Sequence, residues 1–396
     1  MPELRNVTPD EFERWMRVES RAHGNRFNHD PEELRPHFDL TRTIAVVDEG
    51  QIVGGAHSHL LEMSVPGGVA TVAGVSNVEV QPTHTRRGIM TNMMRHQIDG
   101  IHERDEPLAA LFATESAIYG RFGYGVGSVH ESWTIDKRHT TYNRRPDSPG
   151  TIAFVDPADI GKELPDVFRR GTEGRPAVFQ RAPHHWERDS RDPIHSQGGQ
   201  GGIFYAAYIE NGRIDGYVNY RTQRPAVIVN ELMATTPDAS AALWRFCFDL
   251  DLHERTDAIK RPVDDPLPWL LADPRRLQRS ARDGLWVRIV DVAAALQLRQ
   301  YLSNDRLTLQ IKDDFCSWNN RCFELDGSLE GAICRPSAGS PDLTITVGGL
   351  ASAYLGAASF TTLAQAGLVD EHSPGVLARA DRMFAVQLKP WTPYNF

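Results

Sequence analysis

The chain is poor in the features that mark several protein classes. It holds 4 cysteines in 396 residues, at 247, 316, 322 and 334, with no CxxC pair. That pattern is neither a zinc site nor a disulfide framework, and it fits a reducing compartment. Apolar runs are short. None approaches the ~18 residues a membrane-crossing helix needs, and the charged, amphipathic start MPELRNVTPDEFERWM has no signal-peptide core. These absences predict a cytoplasmic protein with no membrane span and no bound metal. An excess of positive charge is also missing: 43 Lys and Arg stand against 52 Asp and Glu, a net charge of −9. A protein that works by neutralising phosphate backbones carries the opposite sign, which argues against nucleic acid as a partner. The acidic balance suits a cationic or amine ligand, although solubility alone also accounts for it.

At this length one hydrophobic core is not enough, and two or three domains are expected. TPDEFERWMRVES reads as an N-capped amphipathic helix. Two β-rich runs then flank Asp48-Glu49-Gly50, a hairpin signal. VATVAGVSNVEV reads as a strand, MTNMMRHQIDGIHERD as a helix, PLAALFATES as a buried parallel-type strand, and SVHESWTID as the strand that closes the first domain. The polar stretch 137–150 reads as a linker. The order then partly repeats. A second hairpin turns at Asn211-Gly212, and VNELMATTPDASAALW lies over VSNVEVQPTHTRRGIM, with Pro237-Asp238-Ala239 in place of the basic turn. A third unit opens near Gly284-Leu285-Trp286 and ends on the aromatic WTPYNF. The expected domains are 1–140, 150–284 and 285–396, in a mixed α/β (α+β) fold.

The run Val78-Glu79-Val80-Gln81-Pro82-Thr83-His84-Thr85-Arg86-Arg87-Gly88-Ile89-Met90-Thr91 carries the most chemistry. A strand ends at Val80 and a basic turn feeds a helix. Unpaired N–H groups and the partial positive charge of a helix start attract phosphate oxygens. Gly88 permits close backbone approach, and Arg86 and Arg87 can add charge-assisted hydrogen bonds to a pyrophosphate. The plainer alternative is a strand–turn–helix with solvated arginines. After the next strand comes Thr114-Glu115-Ser116-Ala117-Ile118-Tyr119-Gly120-Arg121-Phe122-Gly123-Tyr124. Tyr124 reads as packing and Tyr119 as the tyrosine that can face a site. His84 reads as a turn histidine more readily than as a base. Glu79 points to the opposite strand face from Val78 and Val80, to reach an acceptor or to be solvated or salt-bridged.

Strand, Arg-Arg-Gly turn, helix, strand and tyrosine-bearing helix resemble the GNAT acyltransferase superfamily. PTHTRRG, AALFATESAIYGRFGYG, ELMATTPDASAALWRF, DPLPWLLADPRRL, DGLWVRIVDVAAAL and AYLGAASFTTLAQAG occur in order along nearly the whole chain. Together they resemble the enhanced intracellular survival (Eis) family of N-acetyltransferases. The resemblance implies tandem GNAT-fold domains, the second without cofactor, followed by a sterol-carrier-protein-like domain. It further implies acetyl-CoA as co-substrate, a homohexamer of two stacked trimers, and acetylation of amines on polycationic molecules such as aminoglycosides. By position it implies that Val78, Glu79 and Val80 hold the pantetheine and acetyl end, and that Arg86, Arg87, Gly88, Ile89, Met90 and Thr91 hold the pyrophosphate. Thr114 and Glu115 would line the slot. Tyr119 corresponds to the general acid, and the free carboxylate of Phe396 to the general base. The chain departs at Thr85, where this family often has arginine. Around Phe27, Asn28, His29 and Asp30 no family pattern carries over. Acetylation of protein lysines, or a non-catalytic lipid or ligand carrier, are the alternative functions.

Overall fold

A computed structural model describes residues 2–27, 30–144, 149–192 and 201–396. Asn28, His29 and residues 145–148 of the expected linker therefore lie outside the described residues. The chain forms two compact units: 1–128 with 285–386 and 394–396, and 129–284 with 387–393.

The first unit contains β1 (Glu3–Arg5), β2 (Thr43–Asp48), β3 (Gln51–Val65), β4 (Gly68–Val80), β5 (Leu108–Phe112) and β6 (Gly125–Val126). The second contains β7 (Val129–Asp136), β8 (Thr151–Phe154), β9 (Phe204–Glu210), β10 (Arg213–Gln223), β11 (Ala226–Ala234), β12 (Arg255–Pro262) and β13 (Gln278–Asp283). The chain then returns to the first unit with β14 (Leu285–Ile289), β15 (Asp305–Lys312), β16 (Cys322–Ser328), β17 (Gly331–Pro336), β18 (Leu343–Thr346) and β19 (Val369–Glu371). Strand order is β1-β2-β3-β4-β5-β14-β6 in the first sheet, β13-β7-β12-β11-β10-β9-β8 in the second and β17-β16-β15-β18-β19 in the third.

Both expected hairpins form. Glu49 and Gly50 adopt φ of 49° and 76°, and Asn211 and Gly212 adopt 50° and 76°, the paired left-handed conformation that matches strand twist. The repeat is equally visible: β3–β4 is antiparallel and β4–β5 parallel, as β10–β11 is antiparallel and β11–β12 parallel.

One strand differs from expectation. SVHESWTID does not close the first sheet; β7 pairs with β12 and β13 in the second. Its place beside β5 is taken by β14, from far along the chain, in antiparallel register from Leu285↔Phe112 to Ile289↔Leu108. The crossing is fixed where Gly127 N and Ser128 N both donate to Leu285 O, at 2.8 and 3.1 Å, while Ser128 Oγ accepts from Leu285 N at 2.9 Å.

Four helices position the site: α1 (Phe12–Ala22), α2 (Pro31–Leu34), α3 (Ile89–Glu103) and α4 (Ser116–Tyr119). α1 buries Phe12, Trp15, Met16 and Val18, the i, i+3, i+4 spacing of one helix face. Within the first unit a core of Ala73, Val75, Met94, Ile98, Ala109, Leu111, Phe122 and Val290 lies behind the site. Among the described residues no helix is long and apolar enough to cross a membrane.

Candidate active site

The site begins where two strands part. β4 and β5 pair in parallel at Val72↔Leu108, Ala73↔Ala109 and Gly74↔Ala110, and no further pair follows although β4 runs on to Val80. The divergence has a local cause. Gly55 opposes Glu79 and His57 opposes Ser76, so Asn77 and Val78 together face Ala56. This is a β-bulge, and Asn77 supplies its left-handed residue at φ 51°. The extra residue bends β4 away from β5, leaving the β5-facing backbone from Val75 onward unpaired. An extended chain carrying amides could bond there.

At the outer end of β4, the chain makes a short 3-10 turn over Pro82–His84 and then two left-handed residues, Arg86 at φ 62° and Gly88 at 76°. α3 starts at Ile89 with no side-chain cap, so the N–H groups of Ile89, Met90 and Thr91 point out of the first turn. A Cβ at Gly88 would meet nothing within 4 Å, so its backbone angle alone requires glycine. Ile89 is buried, Met90 half-buried and Thr91 exposed. Asp48, from the β2–β3 turn, steadies this loop at 3.6 Å from Arg87 and 3.7 Å from His84. Arg86 is exposed and has no ion pair among the described residues. Thr85 Oγ1 donates to Pro82 O at 3.2 Å. These groups form an open cradle for an anion.

At the inner end, the last residue of the chain reaches the point of divergence. A Cβ on Gly74 would lie 2.4 Å from Leu61 Cδ1 and 2.9 Å from the Phe396 ring, so glycine leaves room for both side chains. Phe396 also meets Phe112, at the end of β5, with ring centroids 5.1 Å apart, and His59 at 6.3 Å. Tyr119, on α4, is 6% exposed. Burial, then the charges of Glu79 and Glu115, push its phenol up to about 12. It packs edge-on against Tyr124 at 5.9 Å. Tyr124 is fully enclosed and its hydroxyl has no hydrogen-bond partner. Thr114 and Glu115 are exposed just past β5.

Glu79 fits neither a solvated nor a salt-bridged reading. It is 5% exposed, both carboxylate oxygens lack hydrogen-bond partners, and burial followed by the charge of Glu19 holds it well above the usual carboxylate range. It lies beneath α1: a Cβ on Gly55 would be 3.0 Å from Glu79 Oε1 and 2.3 Å from Trp15 Nε1. The sequence reading also passed over His57 and His59. Their spacing of two places both on one face of β3, a signal that was available. Among the described residues no cluster of His, Cys, Asp or Glu could hold a metal.

The second copy of the architecture is filled in. β11 and β12 part after Val229↔Ala258. Beyond that point Glu231 is buried against Arg181 at 2.7 Å and accepts from the Tyr217 hydroxyl. The following helix, Pro237–Asp249, is capped by its own Thr236, whose Oγ1 accepts from Ala239 N at 3.1 Å. In the same unit Trp391 donates from Nε1 to Lys260 O and from its backbone N to Pro176 O. Among the described residues of this copy no basic turn leads into an uncapped helix start.

Residues 3–127 and 177–312 each match an acetyltransferase (GNAT) domain, and 292–393 match a sterol carrier protein domain. The fold and these matches define an N-acetyltransferase of the GNAT superfamily. An uncharacterised N-acetyltransferase of Streptomyces avermitilis is 36% identical over all of this chain and 99% of its own. The N-acetyltransferase Eis of Mycobacterium tuberculosis is 33% identical over 87% of this chain and 86% of its own. The crystal structure of Eis1 from Mycobacterium abscessus superposes with a TM-score of 0.86 at 32% identity, covering both chains in full. The chain belongs to the Eis family of N-acetyltransferases.

Proposed function

We propose that this enzyme transfers the acetyl group of acetyl-CoA to an amine of a polycationic small molecule of the aminoglycoside type. The observation that carries the reading is the divergence of β4 from β5, with an anion cradle at one end and the chain's own carboxyl-terminal residue at the other. Arg86, Arg87, Gly88 and the N–H groups of Ile89, Met90 and Thr91 hold the pyrophosphate of the co-substrate. Backbone groups of Val78, Glu79 and Val80 hold its pantetheine arm, with Thr114 and Glu115 on the opposite side of the slot.

An alkyl amine has a pKa of ~10.4 and reaches the site as an ammonium. The Phe396 carboxylate attracts that cation and draws off its proton as the nitrogen lone pair bonds to the acetyl carbonyl carbon, the step in which the nitrogen loses its basicity. Strand N–H groups near Val78–Val80 donate to the oxyanion that develops. The carbon–sulfur bond then breaks, and the electron pair leaves with the sulfur. Tyr119 stays protonated throughout the neutral range, with its phenol near 12. Full proton transfer from such a phenol to a thiolate of pKa ~8.5 is uphill by roughly 5 kcal/mol. Hydrogen-bond donation to the sulfur as its charge grows is therefore the greater part of the acid role.

The test follows CoA thiol release from acetyl-CoA with an aminoglycoside, a lysine peptide or no acceptor. Release with the aminoglycoside alone supports the reading, the peptide alone selects protein acetylation, and no release in any tube favours a carrier. Removal of Phe396 should abolish turnover while leaving acetyl-CoA binding intact. Full turnover by Tyr119→Phe would remove the acid role. We further expect a homohexamer, measurable by sedimentation.

A further inference from the structure

A cavity of about 690 Å³ opens between α1 and the bulged end of β4, lined by Met16, Glu19, Leu34, Phe38 and Asn77, with the exposed Arg26 also on its wall. It reaches β4 at Asn77, the residue before the segment assigned to the acetyl end. Glu19 is half-buried in its wall, on the same cavity as Asn77. Asn77 is itself held by Ser76 Oγ, which donates to Asn77 Oδ1 at 3.0 Å. Burial raises the Glu19 carboxyl above its ordinary value, while His23 and Asn77 pull it back. Close by lies the unpartnered carboxyl of Glu79. Among the described residues no lysine or arginine forms an ion pair with either glutamate. A half-buried carboxyl in the cavity wall with no basic ion-pair partner, Glu19, is what an incoming cation would offset.

The cavity is also linked to the end of the chain. Phe38 meets the His59 ring at 5.9 Å between centroids, and His59 meets Phe396 at 6.3 Å. A ligand in the cavity is thus separated from the terminal residue by two ring contacts. An acceptor with a single amine cannot occupy both places.

Resting on the function proposed above, we infer that Glu19 binds a second, non-reacting ammonium group of the acceptor, selecting molecules with at least two cationic amines. Phe396 then meets the reacting amine, and Glu19 determines specificity without touching the acetyl group.

The experiment compares wild type with Glu19→Gln in the full-length protein, using spermidine and propylamine as acceptors. The KM for spermidine should rise about tenfold, the loss of one ion pair, with kcat and the KM for acetyl-CoA unchanged. The KM for propylamine should stay within about twofold, because that molecule carries no second charge for Glu19 to hold. Equal spermidine KM values, or an equal rise for both amines, would overturn the inference. If the wild type turns over neither these amines nor an aminoglycoside, the functional reading fails; where only these two amines are inert, spermidine titrated calorimetrically into CoA-saturated protein decides the matter. Binding that weakens about tenfold in Glu19→Gln keeps the inference, whereas equal binding or none overturns it.

Discussion

Replacing His57 with leucine should stabilise the protein, and increasingly so in acid. His57 is fully buried on β3, packed against Phe38 at 4.9 Å and His59 at 4.4 Å, and neither ring nitrogen has a hydrogen-bond partner. Burial first, then the positive neighbours His59 and Arg42, lowers its pKa from 6.5 to about 3, against a weaker opposing pull from Asp39. A base whose folded pKa is depressed takes its proton more readily when unfolded. The native state therefore loses stability as pH falls through 6.5 and continues to lose it toward 3. Between pH 7.5 and pH 5 the gap spans roughly 1.5 units, or about 2 kcal/mol, which leucine abolishes. At neutral pH the substitution also removes two unsatisfied buried polar atoms, typically a gain of ~1–3 kcal/mol. Urea unfolding of the wild type and His57→Leu at both pH values measures this directly. Stability curves that run parallel in pH would refute the reasoning.

Thr85→Arg should strengthen acetyl-CoA binding by several-fold through an added phosphate contact, with stability changed by less than about 0.5 kcal/mol because the position is exposed. Calorimetric titration reads the affinity. Gly88→Ala forces a side chain into a left-handed angle, and should cost about 1 kcal/mol of stability and at least about tenfold in acetyl-CoA affinity. Paired melting and binding curves separate the two effects. Asp313→Asn should destabilise by about 3–5 kcal/mol. It leaves the enclosed Arg288 charge without the carboxylate now 2.7 Å away, which also accepts from Cys316 N at 2.9 Å. A denaturant midpoint shift measures that loss.

Local chemistry was legible in the sequence and long-range pairing was not. Asn211-Gly212 announces its turn because Asn and Gly adopt positive φ at low cost, and in the first turn Gly50 does so, with Glu49 carried into the same region beside it. Val80 ends a strand and Ile89 starts a helix for equally local reasons. The exchange of β7 for β14 follows instead from which distant edge each strand meets, and alternation along SVHESWTID is the same in either sheet. Glu79 shows the other limit. Its position on the strand gives the face it points to, but the α1 residue Trp15 that covers that face is set by tertiary packing. Asn77 is intermediate: an asparagine inside a β-branched run hints at a bulge, and the bulge is what opens the slot.

Acetyl-CoA titrated into the full-length protein tests the central claim most directly. The account predicts one site per chain, lost when Arg86 and Arg87 both become alanine and unchanged by Asp238→Ala in the second copy. Two sites per chain, no site, or binding indifferent to the paired arginine change would contradict it.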